Sequence, residues 1–177
     1  MIKHNIYITG FMGTGKSAVG RVVAQKIGKI FIDTDRAIKD RQGRSIADIF
    51  ENWGENHFRQ LETNLLKELA QRDDLVVATG GGTLLSRENV RLLDEGSIII
   101  CLFADPMVIH KRIKKNNMRP LLEHGDRLKT IKNLMKKRDS FYKQFDWQVD
   151  TSDLTVEEAA DEILNILEKR EHLWKIS

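Results

Sequence analysis

The stretch Gly10-Phe11-Met12-Gly13-Thr14-Gly15-Lys16-Ser17 carries the spacing G-x-x-x-x-G-K-[ST], that of a loop built to hold phosphates. Its glycines permit backbone conformations and close approach that a Cβ would block. The loop's N–H groups can then turn inward, and a helix opening at Lys16 adds its positive N-terminal end. Lys16 supplies a mobile charge to the outer phosphates, and Ser17 a hydroxyl to Mg²⁺. Such chemistry also needs a carboxylate at a strand end to position the metal. The apolar run Leu75 to Thr79 ends on Gly80-Gly81-Gly82 and offers none, whereas Ile30-Phe31-Ile32 ends on Asp33. Asp33 is therefore assigned to the metal, in part through water. Asp35, two residues on, can accept a hydroxyl's hydrogen bond and orient it as a nucleophile. Either aspartate could instead serve only to cap the next helix.

Three further groupings suit an anionic acceptor. In Phe58-Arg59-Gln60-Leu61-Glu62 the i, i+3 spacing puts Glu62 beside Arg59. A guanidinium held in this way is a rigid fork for a carboxylate. From spacing alone, an ordinary surface ion pair is an equally good reading. Gly80-Gly81-Gly82 lets a ligand rest on bare backbone, or is merely a flexible turn. Arg119-Pro120 stands in a polar stretch and could swing over transferring phosphate, and Arg138, ahead of Phe141 and Tyr142, is a second anion clamp.

The elements that must position these groups follow from periodicity and punctuation. Asn5 to Thr9 reads as a buried strand, and Lys16 to Ile27 as a helix with Val19, Val22, Val23 and Ile27 at helical spacing. Ile30 to Ile32 is a second strand, and Arg36 to Arg72 is helical. In that helical stretch Ser45 and Asp48 form a capping pair, Gly54 marks a bend, and Phe58, Leu61, Leu65, Leu66 and Leu69 form an apolar stripe. Leu75 to Thr79 is the third strand. A short helix runs from a Ser86 cap to Leu93, and Ser97 to Phe103 is the fourth strand. Asp105-Pro106 opens a helix towards Lys115. Asn116 to Asp126 reads as a lid loop, Arg127 to about Phe145 as a helix, and Trp147 to Val149 as the last strand. Thr155 with Glu158 caps the final helix. Strands alternating with helices imply a parallel sheet covered on both faces. Ligands bind such sheets beyond the strand carboxyl ends, where Gly10, Asp33 and Gly80 all fall.

The 177 residues suit one domain, and 41% hydrophobic with 31% charged residues is a globular composition. No apolar run reaches a membrane span, and the first strand begins too close to Met1 for a signal or transit peptide. The single cysteine, Cys101, lies in an apolar run, which suits a reducing cytoplasm. The five histidines show no ligand spacing. Net charge is +3, but Lys111 to Arg138 holds eleven Lys and Arg against two acids. That is either a solvated helix surface or a basic wall over a polyanionic ligand. Aromatic residues are too scarce there, and motifs lacking, for a nucleic-acid partner.

Together these residues resemble the shikimate kinases. The resemblance runs from Gly10 to about Ser152 and rests on the loop at Gly10 to Ser17, Asp33-x-Asp35, Phe58-Arg59-x-x-Glu62, Gly80-Gly81-Gly82, Arg119-Pro120-Leu121 and Arg138. It implies a three-layer α/β/α fold of the P-loop type, with a five-stranded parallel sheet ordered 2-3-1-4-5. The implied reaction is ATP-dependent phosphorylation of the 3-hydroxyl of shikimate, on the way to chorismate and the aromatic amino acids. It further implies one kinase domain over residues 1–177, with an acceptor-binding segment at about 34–72 and the lid at about 116–126. Gly13, Thr14, Gly15, Lys16, Ser17, Ala18 and Arg119 would bind ATP, and Ser17 and Asp33 the Mg²⁺. Asp35, Arg59, Gly80, Gly81, Gly82 and Arg138 would hold shikimate, and Lys16, Asp35 and Arg119 would act in catalysis. Adenine would lie near Arg112 and residues 150–152. A cytoplasmic monomer with two small-molecule substrates is expected.

Overall fold

The strand leading into the phosphate loop, β1 (Asn5–Gly10), is buried at all six positions. Ile6 and Ile8 face one side of a sheet and Tyr7 the other, so both sides need apolar cover. The remaining strands are β2 (Ile30–Asp33), β3 (Leu75–Ala78), β4 (Ser97–Phe103) and β5 (Trp147–Asp150). In the computed structural model, which describes residues 4–94, 96–114 and 126–174, all five run parallel in the order β2-β3-β1-β4-β5. The order is the one expected. Register then does the functional work. Ala78 lies level with Ile8 on one side and Asp33 on the other, so β2 and β3 end together while β1 runs two residues further, to Gly10.

One face is covered by α1 (Lys16–Ile27) and α7 (Val156–Trp174), whose Val19, Val23, Ala160 and Ile163 pack on Ile6, Ile8, Ile98 and Ile100. The other carries α2 (Thr34–Gln42), α3 (Ile46–Leu69), a 3₁₀ turn at Thr83–Leu85 and α4 (Arg87–Asp94). There Phe58, Leu65, Leu66 and Leu69 of the expected stripe meet Tyr7, Leu75, Val77 and Cys101. Cutting a fully buried leucine such as Leu66 to alanine costs about 2–5 kcal/mol. A third cluster joins α5 (Pro106–Lys114) and α6 (Arg127–Tyr142) to the phosphate loop itself, through Ile109, Ile113 and Ile131 against Phe11 and Met12. Burial pushes the Cys101 thiol up to about 12, which leaves it an inert core residue.

Local signals agree with the elements. Ser45 and Asp48 form a reciprocal capping box, as do Thr155 and Glu158. Asp105 accepts from the Met107 N–H. Helix α3 is kinked at Gly54, where φ 79° and ψ 171° interrupt the spiral. Several boundaries differ from the sequence reading by one to three residues. Helix α2 starts at Thr34 rather than Arg36, because Asp33 itself is the cap, and α6 stops at Tyr142. The 3₁₀ turn is additional; three residues give periodicity nothing to act on. The expected lid, apart from Asp126, lies outside the described residues. Among the described residues no helix is long and apolar enough to cross a membrane.

Candidate active site

The phosphate loop leaves β1 at Gly10, whose φ is 132°. A Cβ there would fall 2.0 Å from the Leu102 carbonyl oxygen on β4, so only glycine can make this exit. Phe11 and Met12 anchor the loop in the apolar cluster, and the Thr14 hydroxyl donates to the Phe11 carbonyl at 2.8 Å. Lys16 Nζ donates to the carbonyls of Gly10 and Phe11, each at 3.0 Å, which lays the ammonium back across the loop. Ser17 and Ala18 are exposed at the start of α1.

Asp33 caps the next helix and still turns its second carboxylate oxygen to the phosphate loop. Its Oδ1 accepts the Arg36 N–H at 3.0 Å and caps α2, while its Oδ2 accepts the Ser17 hydroxyl at 2.5 Å. One hydroxyl and one carboxylate therefore meet at the mouth of the loop, a pair able to hold a divalent cation. Thr34 turns the other way. Its hydroxyl accepts the Gly80 N–H at 2.9 Å and ties the acidic strand end to the glycine turn.

Each of the three glycines faces a different partner. A Cβ on Gly80 would lie 2.6 Å from both Asp35 Oδ1 and Glu62 Oε1. On Gly82 it would lie 2.7 Å from both terminal nitrogens of Arg59. On Gly81 it would touch the phosphate loop, at 3.4 Å from Met12 N and 3.5 Å from the Gly10 oxygen. The Gly81 carbonyl accepts from Arg138 Nη1 at 3.3 Å and from the Tyr142 hydroxyl at 2.6 Å. Burial pushes the Tyr142 phenol up to about 12, against the pull of Arg138, so it remains a donor. Arg138 also stands 5.8 Å from the centroid of the Phe11 ring.

The Arg59–Glu62 pair is no surface ion pair. Glu62 is only 1% exposed and accepts from Arg59 Nη1 at 2.6 Å through one oxygen and from the Thr83 hydroxyl through the other. Burial pushes its carboxyl above the ordinary glutamate range, although Arg59 and Thr83 pull the other way. Arg59 is held on its second edge by Glu55, with its Nη2 at 2.8 Å. Burial works against the guanidinium's charge, but Glu62 and Glu55 outweigh it and raise the pKa. Behind this pair, the Asn89 amide donates to the Thr83 carbonyl and accepts from Thr63, both at 2.8 Å. A cavity of about 540 Å³ opens beside the clamp, with Glu55, Arg59, Lys67, Gly82, Asn89 and Arg138 in its wall.

Lys16, Ser17, Asp33, Asp35, Arg59, Gly80, Gly81, Gly82 and Arg138 thus converge on one end of the sheet. Arg119 lies outside the described residues. Arg112 donates twice to Thr151, so that these two expected neighbours do meet. Sequence reasoning overlooked Thr34, Thr83 and Asn89, and it gave Tyr142 no task. For Tyr142 a signal existed, its i, i+4 spacing from Arg138. The buried threonines carry no spacing signature.

A family model described as shikimate kinase matches residues 12–168. A shikimate kinase of Pelotomaculum thermopropionicum is 43% identical over 169 residues, covering 96% of this chain and 98% of its own length. Among solved structures, shikimate kinase from Acinetobacter baumannii in complex with shikimate superposes with a TM-score of 0.89. It is 34% identical and 94% of each chain is covered. A gluconokinase from Sinorhizobium meliloti reaches a TM-score of 0.63 at 20% identity, covering 99% of this chain and 98% of its own, a likeness of fold alone.

Proposed function

This chain belongs to the shikimate kinase family, the kinases that phosphorylate shikimate with ATP, and from that premise we propose how its own residues divide the reaction. The loop amides from Gly13 to Ala18 and the Lys16 ammonium receive the ATP phosphates. Arg59 and Arg138 clamp the shikimate carboxylate, with Gly80, Gly81 and Gly82 as the surface on which the ring rests. Asp35 accepts the hydrogen bond of the 3-hydroxyl and aims its oxygen at the γ-phosphorus. A new oxygen–phosphorus bond forms as the bond to the ADP oxygen breaks, and the hydroxyl proton leaves through Asp35 or the product phosphate. The transition state is loose, so alignment and charge neutralisation matter more than a strong base. Arg119 is assigned the charge over the transferring group.

One observation carries this reading: Gly81 faces the phosphate loop, where a Cβ would lie 3.4 Å from Met12 N, while its carbonyl holds Arg138. An acid gripped by Arg59 and Arg138 therefore lies next to the phosphates, within the reach that in-line transfer needs. Ser17 and Asp33 fit Mg²⁺, which takes few protein ligands and keeps water and phosphate oxygens for the rest. When bound, the ion neutralises charge on the β- and γ-oxygens. The whole chain is proposed to act as one domain, with its acceptor segment at about 34–72 and its lid at about 116–126. A monomer in the cytoplasm is proposed too, and the buried free thiol of Cys101 is consistent with that compartment. The deciding assay offers ATP with a panel of acceptors, shikimate, gluconate and nucleoside monophosphates among them. Turnover confined to shikimate is expected; robust turnover of another acceptor with none on shikimate refutes the assignment.

A further inference from the structure

Thr151, the first residue after β5, is 2% exposed and lies far in sequence from the phosphate loop, yet it is bonded to it. Its Oγ1 stands 2.9 Å from the Thr14 carbonyl oxygen and 3.1 Å from that of Phe103. A hydroxyl has a single proton to give. The Phe103 carbonyl already accepts the Thr151 N–H at 2.9 Å. Arg112 Nη1 points at the same hydroxyl from 3.1 Å, and a guanidinium can only donate, so it occupies an acceptor lone pair of Oγ1. Arg112 Nη2 fixes the Thr151 carbonyl at 2.6 Å. Of the two carbonyls, that of Thr14 is the nearer and Phe103's already has a donor, which favours Thr14 as the acceptor of the proton.

The consequence lies in the peptide that joins Thr14 to Gly15. A trans peptide holds its C=O and the following N–H antiparallel, and no peptide among the described residues is cis. With the Thr14 carbonyl held by Thr151, the Gly15 N–H is turned away from Thr151. Gly15, at φ 98°, would otherwise be free to rotate this plane. We propose that Thr151 is a positioning residue for the nucleotide: it presets the Gly15 amide towards the phosphates, and Arg112 sets the direction of its hydroxyl. Buried as it is, Thr151 acts through the loop and not by contact with the ligand. This inference rests on the kinase reading above.

The test compares the full chain with Thr151→Val, which keeps the shape and removes the hydroxyl, and with Thr151→Ser, which keeps it. ADP and shikimate binding are measured by calorimetry, together with the KM for each substrate. Thr151→Val is expected to weaken ADP and to raise the KM for ATP about tenfold, the size of one hydrogen bond to a charged group. Shikimate affinity should hold within about twofold and ADP affinity of the serine variant within about threefold, both well inside one such bond. Equal ADP affinity in wild type and Thr151→Val overturns the inference, as does equal damage from serine and valine, or an equal loss of shikimate binding. Should valine fail to fold, Thr151→Ala takes its place with the same expectations. A wild-type chain that binds no ADP sinks the kinase reading instead, so the two failures are distinct.

Discussion

Glu62→Gln separates the two things that the buried glutamate does, and it should move function and stability in opposite directions. The side chain keeps its shape, and its carbonyl oxygen can still accept from Arg59 while its amide faces the Thr83 hydroxyl. What disappears is charge assistance across the 2.6 Å contact to Arg59. Bonds to charged groups contribute about 1.5–3 kcal/mol against about 0.5–1.5 for neutral ones, a loss of about 1–1.5 kcal/mol. If Arg59 is the carboxylate clamp, the KM for shikimate rises about tenfold while that for ATP holds. Stability follows the other sign. Burial raises the Glu62 pKa in the folded protein above its unfolded value. Folded protein then binds the proton more readily, so the wild type loses stability as pH rises through the interval between the two values. Glutamine has no such term. Melting curves of variant and wild type should therefore agree most closely in acid, and the variant should gain on the wild type towards neutral pH. An unchanged shikimate KM, or a loss shared equally with ATP, refutes the reasoning about the clamp. A variant that falls further behind as pH rises refutes the reasoning about burial.

Gly82→Ala tests the same clamp without touching a charge. Its Cβ would lie 2.7 Å from both terminal nitrogens of Arg59, at the far end of that side chain, so the guanidinium is displaced while the backbone keeps its course. A raised shikimate KM with a melting temperature within a few degrees of wild type is expected, and unchanged kinetics count against the site. Arg138→Ala removes a donor to the Gly81 carbonyl and, in the proposed complex, a charge-assisted bond to the acid. Shikimate should weaken by about 1.5–3 kcal/mol with ATP affinity kept, and an equal loss for both moves Arg138 out of the acceptor site. Lys16→Ala should abolish most turnover while circular dichroism still reports a folded chain; near-normal activity contradicts the phosphate-loop assignment. Finally, the Tyr7 hydroxyl is buried with no hydrogen-bond partner among the described residues, and burial pushes its phenol up to about 12 against the pull of Asn5. Tyr7→Phe should add about 1 kcal/mol of stability, about 2–4 °C in melting temperature, and a lower one shows that the hydroxyl is satisfied after all.

Strands were legible because parallel strands buried on both faces read as unbroken apolar runs, such as Ile98 to Leu102. Helix starts were legible from local capping chemistry, as at Ser45 and Thr155. Of the site, Gly10 to Ser17 was legible because its spacing is itself the mechanism. Asp33 was singled out by excluding the strand that ends in glycine. The Arg59–Glu62 pair shows the limit. Spacing placed the two on one face of a helix, but only packing decided that Glu62 is buried and that Thr83 completes it. Likewise three glycines announced a bare surface, and the fold determined that one meets carboxylates, one the phosphate loop and one an arginine. Thr151 and Thr14, distant in sequence, carried no signal of their bond. Chemistry confined to a few neighbouring residues, and the alternation that buries a strand, belong to the sequence alone. Burial of a charge and the direction of a hydroxyl depend on groups that only the folded sheet brings side by side, and these the tertiary structure decided.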